Sequence, residues 1–234
     1  MSLHNGARLN IHAEILKLAR LLRVEPEELS YLEPVDPEAV KQLREQVTDM
    51  LFSAHGHTLS RLAAASKLLP GGLNALLAER AFGPILSARL ASLVDPGRAV
   101  DIASRLPAAF LAEVASHIDP RRTGPVITGI GPQRIAEITR QLLASQDFVT
   151  MGRAVGQLSP EALQAALAVL DDASLLRTAF VMEDKDSLSE LADRLGEDRL
   201  VGLIDAAEES GLQEEAIDLL SHVDDARRES LLAI

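Results

Sequence analysis

Cysteine is absent from all 234 residues, which excludes disulfide scaffolds, thiolate zinc sites and cysteine nucleophiles. The same absence suits a reducing compartment, so a cytoplasmic location is the expectation. Tryptophan is also absent, and five Phe and one Tyr make up the aromatic content. A β-sandwich or barrel would lack its usual strand formers, so an all-helical chain rich in Leu and Ala is expected. Long apolar runs are missing too. The most apolar stretch, Leu68 to Val94, carries Glu79, Arg80 and Arg89 and is broken at Gly71-Gly72 and Gly83-Pro84, so it cannot cross a bilayer as one helix. Met1 to Asn10 has no apolar core of the kind a secretory signal needs. What is present is ordinary for a globular protein: 47% apolar and 25% charged residues, enough to bury a core and to exclude disorder over most of the chain.

Basic charge is scarce and unevenly placed. The formal net charge of −12 argues against wholesale binding to nucleic acid or anionic lipid. Residues 1–153 hold 17 Lys/Arg against 16 Asp/Glu, whereas residues 154–234 hold 6 against 19. The whole acidic excess therefore lies in the last third. It reads either as a solvated, solubilising surface or as a face that attracts a basic protein segment or divalent cations.

From about Pro70 onward the chain breaks into units of roughly 24 to 28 residues, each opened by an acidic residue at the start of a short helix. The marks are Asp95-Pro96, Asp119-Pro120, Asp147, Asp171-Asp172, Glu197-Asp198 and Asp224-Asp225. Eleven residues after the first four come Leu106, Ile130, Leu158 and Met182, followed at once by Pro107, Gly131-Pro132, Ser159-Pro160 and Glu183-Asp184. Each unit is thus two short helices. Asp or Ser at the N-cap accepts from an unpaired first-turn amide, and proline follows where its missing N–H is not needed. Apolar spacing inside the units is helical, as in Ile135, Ile138 and Leu142 or Leu188, Leu191 and Leu195. Helices this short are marginal alone and need stacked neighbours.

Upstream, an amphipathic helix over about Leu9 to Val24 precedes a short second helix opened by Glu25-Pro26-Glu27-Glu28-Leu29. Asp36-Pro37-Glu38 then caps a longer one with Val40, Leu43, Val47, Met50, Leu51 and Ala54 on one face, extending towards Leu69 with Gly56 as its weak point. The expected architecture is all-α: a right-handed, HEAT-like α-solenoid of short helical hairpins with a period of about 25 residues. Residues 1–69 form an N-terminal helical cap, and residues 70–234 form repeats near 70–94, 95–118, 119–146, 147–170, 171–196 and 197–223, with an end at 224–234.

Val126 to Ile135 resembles the hairpin of helix-hairpin-helix DNA-binding motifs, in which an apolar-Gly-apolar-Gly turn offers amides to a phosphate. Gly129 and Gly131 would supply the turn, and Arg121, Arg122 and Arg134 the positive charge. Against it, Gly124-Pro125 interrupts the preceding helix, and Gly131-Pro132 is already a turn predicted by the repeat. Leu18 to Val24 with Pro26 to Leu32 resembles the start of a helix-turn-helix, yet Glu25, Glu27, Glu28 and Glu33 would repel phosphates. His55-Gly56-His57 offers ligand atoms, but residues two apart on a helix face opposite ways. Asp171, Asp172, Asp184, Asp186, Asp224 and Asp225 are candidate ligands for a row of cation sites, with ordinary N-capping the stronger reading of each pair. Arg153 and Arg177 hold equivalent places in consecutive units, where ion pairs to neighbouring acids are expected. No phosphate loop, nucleophile elbow, metalloprotease or dinucleotide motif is present.

The runs Asp95-Pro96-Gly97-Arg98-Ala99-Val100 through Leu106-Pro107 and Asp119-Pro120-Arg121-Arg122 resemble the acidic-Pro-x-Arg-Ala helices of the N-terminal cytosolic domain of MgtE-type magnesium transporters. The resemblance extends loosely over about residues 95–225. It implies a superhelix of short helices acting as an acidic, magnesium-responsive regulatory module. The 234 residues include neither the nucleotide-binding-type domain nor the membrane helices of that family, so transport is not implied and none of its metal-binding residues is carried over. The expected function is that of a non-enzymatic, cytoplasmic protein-interaction or regulatory module with a protein partner, a basic one where the acidic third is the face it meets, and with no cofactor, no nucleic acid and no membrane span. The alternatives are nucleic-acid binding through residues 126–135 and divalent-cation response through the acidic third.

Overall fold

A computed structural model describes residues 2–53, 56–183, 188–195 and 197–221 of the chain. Every regular element among them is helical, as the scarcity of strand formers predicts. No helix among the described residues is long and apolar enough to cross a membrane. Asp184, Asp186, Asp224, Asp225 and His55 lie outside the described residues.

Helix α1 (Ser2–Leu22) begins earlier than its apolar pattern suggested and ends where Arg23 turns left-handed at φ 60°. The expected second helix is a 3₁₀ segment, Pro26–Leu32, capped at its start by the Glu25 amide donating to Glu28 Oε1 at 3.0 Å. Then follow α2 (Pro37–Ser53), α3 (Gly56–Ser66) and α4 (Gly71–Leu77). A π-helical turn, Ala78–Phe82, leads into α5 (Gly83–Ala91), and Gly83 combines a φ of 69° with a ψ of 176°, a conformation essentially confined to glycine.

Two helices then fall in each of the next stretches: α6 (Pro96–Ser104) and α7 (Ala108–Ala115), α8 (Pro120–Gly129) and α9 (Pro132–Ala144). After them come α10 (Phe148–Ala154) and α11 (Pro160–Leu167), α12 (Asp172–Phe180) and α13 (Leu188–Arg194), α14 (Glu197–Ser210) and α15 (Gln213–Ser221).

The starts of these helices follow from cap chemistry. The side chains of Asp95, Asp119, Asp147, Ser159 and Asp171 accept from the amides of Arg98, Arg121, Thr150, Ala162 and Ser174 at 2.7–3.2 Å. Each acceptor satisfies an amide that has no partner within its helix. Pro96, Pro120, Pro132 and Pro160 occupy the first helical turn, whereas Pro70 and Pro107 take the cap position itself. One expectation is overturned: α8 runs unbroken through Gly124-Pro125. Pro125 and Arg121, the residue four back whose carbonyl the missing N–H cannot serve, both stand at the exposed surface, where water can substitute.

The described chain divides into two compact units. The first gathers Met1–Glu45, Met151–Gly156 and Leu170–Ile234; the second gathers Gln46–Thr150 and Gln157–Val169. In the second unit each helix packs on the one two places along: α3 on α5, α5 on α7, α7 on α9 and α9 on α11, with α4 on α6 and α6 on α8 in the other series. Ile135 with Ala162 and Ala166 seals α9 against α11. Helices α6 and α8 approach closely enough that a Cβ on Gly129 would lie 2.8 Å from the Val100 side chain. Asn74 and Arg98 both donate to the carbonyls of Ser66 and Leu69, closing the C-terminal end of α3.

In the first unit α1 supplies the core residues Ile11, Ile15, Leu18 and Ala19, which meet Leu29 and Val40. The chain's first helix packs on its last described one, α15, while α12 packs on α14 and α15. At Gly152 a Cβ would lie 2.6 Å from the Thr178 carbonyl oxygen and 2.8 Å from Val181, so only glycine fits.

Candidate functional site

Two features of the first unit stand apart from ordinary helix packing. One is a partly buried cluster of five charges, the other an open apolar cleft.

The cluster begins on α1, where Glu14 and Lys17 share the face that carries Ile11, Ile15 and Leu18. Their side chains meet at 2.5 Å, and Lys17 is only 3% exposed. From α2, Arg44 donates through Nε to Glu14 Oε2 at 3.1 Å. Its two Nη groups grip both oxygens of Glu183 at 2.9 and 2.8 Å, a forked geometry that only a guanidinium provides. Arg153 on α10 adds a bond from Nε to Glu183 Oε1 at 3.3 Å, and Lys17 lies 3.8 Å from the same carboxylate.

Three cations thus enclose two carboxylates, and the electrostatics follow. Burial, the largest influence on Glu183, disfavours its charge, but Lys17, Arg44 and Arg153 outweigh burial and hold its pKa below the ordinary glutamate value. Burial pushes the Lys17 ammonium down, against the pull of Glu183 and Glu14. For Arg44 burial is again opposed, and the two carboxylates raise its pKa. The cluster consumes its own hydrogen-bonding capacity and acts as a polar joint between α1, α2, α10 and the residues after α12.

Sequence reasoning found only part of this. The ion pair expected for Arg153 forms with Glu183, whereas Glu14, Lys17 and Arg44 were missed. Their signal was charge on an apolar helical face: Glu14 stands three residues after Ile11, and Arg44 four after Val40. The predicted face of α2 is corrected accordingly. Val40, Arg44 and Thr48 are buried, while Leu43, Met50 and Leu51 are exposed, because the pull of Glu14 and Glu183 turns Arg44 inward.

The cleft, about 340 Å³ in volume, is formed by α12, α13, α14 and α15. Its floor is Leu175, Leu176 and Ala179 of α12, with Leu191, Leu195 and Leu200 beside them, all buried. Its lip is Ile204 of α14 and Ile217 of α15, which are 43% and 66% exposed. Among the described lining residues, Glu208 and Gln213 are the polar side chains. The other described lining residues are Leu, Ile and Ala, so the cleft offers mainly apolar surface with one carboxylate at Glu208.

The other predicted residues are engaged elsewhere. In the hairpin, Arg121 and Arg122 fold back on Asp119 and Asp49, and the Arg122 guanidinium lies 5.5 Å from the centre of the Phe52 ring. The hydrogen bond from Arg122 draws the exposed Asp49 carboxyl below its ordinary pKa. Arg134 pairs with Glu137. Gly129 ends α8 against Val100, and Gly131 caps α9 at a φ of −64°, open to residues other than glycine. Of the acid pairs, Asp171 caps α12 and is drawn below its ordinary pKa chiefly by the Ser174 amide, while Asp172 accepts from Arg199 at 3.0 Å. Among the described residues no group of three or more His, Asp or Glu side chains is placed to hold a metal ion. His57 is exposed on α3.

No family model, no curated protein and no solved structure matches the chain.

Proposed function

We propose that this protein is a non-enzymatic, cytoplasmic interaction module that binds a protein partner through the cleft of α12–α15. The observation that carries this reading is the cleft itself: two isoleucines stand exposed at the mouth of a pocket whose floor is wholly apolar. Exposed apolar surface around a concavity is unfavourable in water unless something covers it. The reading includes a right-handed α-solenoid with a period near 25 residues and a regulatory role like that of the MgtE-type N-terminal domain. Support for stacked helical hairpins comes from the second unit, where α3, α5, α7, α9 and α11 pack in one series and α4, α6 and α8 in another.

The test is co-purification with the full chain carrying either the native cleft or Ile204→Lys with Ile217→Lys. Both side chains are exposed, so the fold should tolerate the changes. A protein recovered with the native chain and lost with the variant supports the reading. An identical set of proteins with both chains contradicts it.

A further inference from the structure

The charge around the cleft says what kind of partner fits it. Residues 197–221, which form α14 and α15, carry eight Asp/Glu and one Arg. The Arg, Arg199, is engaged by Asp172. Glu208 stands in the cleft lining, and Asp205, Glu209 and Glu214 are exposed on the same two helices. Arg177 on α12 and Arg194 on α13 add basic side chains to the four helices, yet acids outnumber them on α14 and α15, and that excess disfavours an acidic partner and attracts a basic one.

The size of the cleft is compatible with such a partner. About 340 Å³ lies at the lower end of the range for small-molecule sites. It suits roughly two or three bulky side chains projecting from one face of a helix at i, i+3 and i+4. The two lip residues sit on adjacent, packed helices, so an incoming helix would lie against both.

Resting on the interaction reading above, we propose that the cleft of α12–α15 receives a single basic amphipathic helix of a partner protein. Its leucine-like side chains enter the apolar floor, its flanking Lys and Arg side chains meet Glu208 in the lining, and the exposed acids of α14 and α15, Asp205, Glu209 and Glu214 among them, supply the wider attractive field. The acidic excess of the last third then has a specific use. It steers the partner and selects its sign, while apolar burial holds it.

The test uses the full chain and two designed, fluorescein-labelled helical peptides of roughly 14 residues with identical leucine faces, one Leu/Lys and one Leu/Glu. Fluorescence polarisation should show the Leu/Lys peptide binding, weakening with added salt, while the Leu/Glu peptide binds at least roughly ten-fold more weakly. Ile204→Lys with Ile217→Lys should weaken Leu/Lys binding by roughly ten-fold or more, and charge reversal at Glu208 and Glu209 should remove most of the salt dependence. Equal binding of both peptides, lost in the isoleucine variant, overturns the basic partner but leaves the interaction reading standing. Binding that ignores the isoleucine variant, or no binding of either peptide, overturns the assignment of the cleft itself. Two other occupants would also displace the proposal. A fatty acid found by mass spectrometry of the denatured protein would mark a lipid site, and a dimer in sedimentation velocity that the isoleucine variant abolishes would mark a self-association face.

Discussion

Arg44 and Glu183, 139 residues apart in sequence, face each other in a forked ion pair with two bonds of 2.9 and 2.8 Å. Arg44 is 4% exposed and Glu183 29%, so the pair is partly withdrawn from water and its geometry matters more than at a surface. It ties the early helix α2 to the chain just beyond α12.

Removing one partner leaves the other charge without compensation. Arg44→Met should lower stability by about 3–5 kcal/mol, because Glu14 and Glu183 both lose their guanidinium contacts. Glu183→Gln should cost less, since the amide oxygen still accepts from Arg44. In a double-mutant cycle measured by urea denaturation the two changes should couple by roughly 0.5–3 kcal/mol. Strict additivity would show that the pair contributes nothing.

The acid limb of the stability curve should report Glu183. Its pKa is lower folded than unfolded, so its contribution is complete above the ordinary value of 4.5 and is lost as pH falls through the folded value. Asp171, drawn down by the Ser174 amide, acts in the same direction. Thermal melts of native protein and Glu183→Gln should therefore differ most at neutral pH and converge as pH drops below about 4.5. Curves that stay parallel across the acid range would contradict the account.

Two glycines should respond in opposite directions. Gly152→Ala forces a methyl group against the Thr178 carbonyl and Val181, and should destabilise by about 1–3 kcal/mol. Gly72, inside α4, has nothing within 4 Å of an added Cβ. Gly72→Ala should stabilise by about 0.4–1 kcal/mol through the lower entropy of the unfolded chain. Melting temperatures of the two variants check both signs.

What the sequence made legible was local chemistry. The acceptors at Asp95, Asp119, Asp147, Ser159 and Asp171 lie next to the amides they satisfy, so spacing alone located these helix starts. Where the outcome depended on distant partners, pattern reading failed. The inward turn of Arg44 is set by Glu14 and Glu183, neither of which is a sequence neighbour. Proline at 125 reads as a helix break, yet the tertiary setting keeps α8 continuous around an exposed ring. Leu188, Leu191 and Leu195 read as plain core, and nothing in their spacing reveals that the helices around them leave a cleft. The arginines near the hairpin read as available positive charge until Asp49, Asp119 and Glu137 are placed beside them.

The most direct measurement of the central claim is hydrogen-exchange mass spectrometry of the full chain with and without the Leu/Lys peptide. Docking in the cleft predicts slower exchange in α12 (Asp172–Phe180), α14 (Glu197–Ser210) and α15 (Gln213–Ser221), with α6 to α9 unchanged. Protection centred on α6 to α9, or none anywhere at saturating peptide, would contradict it.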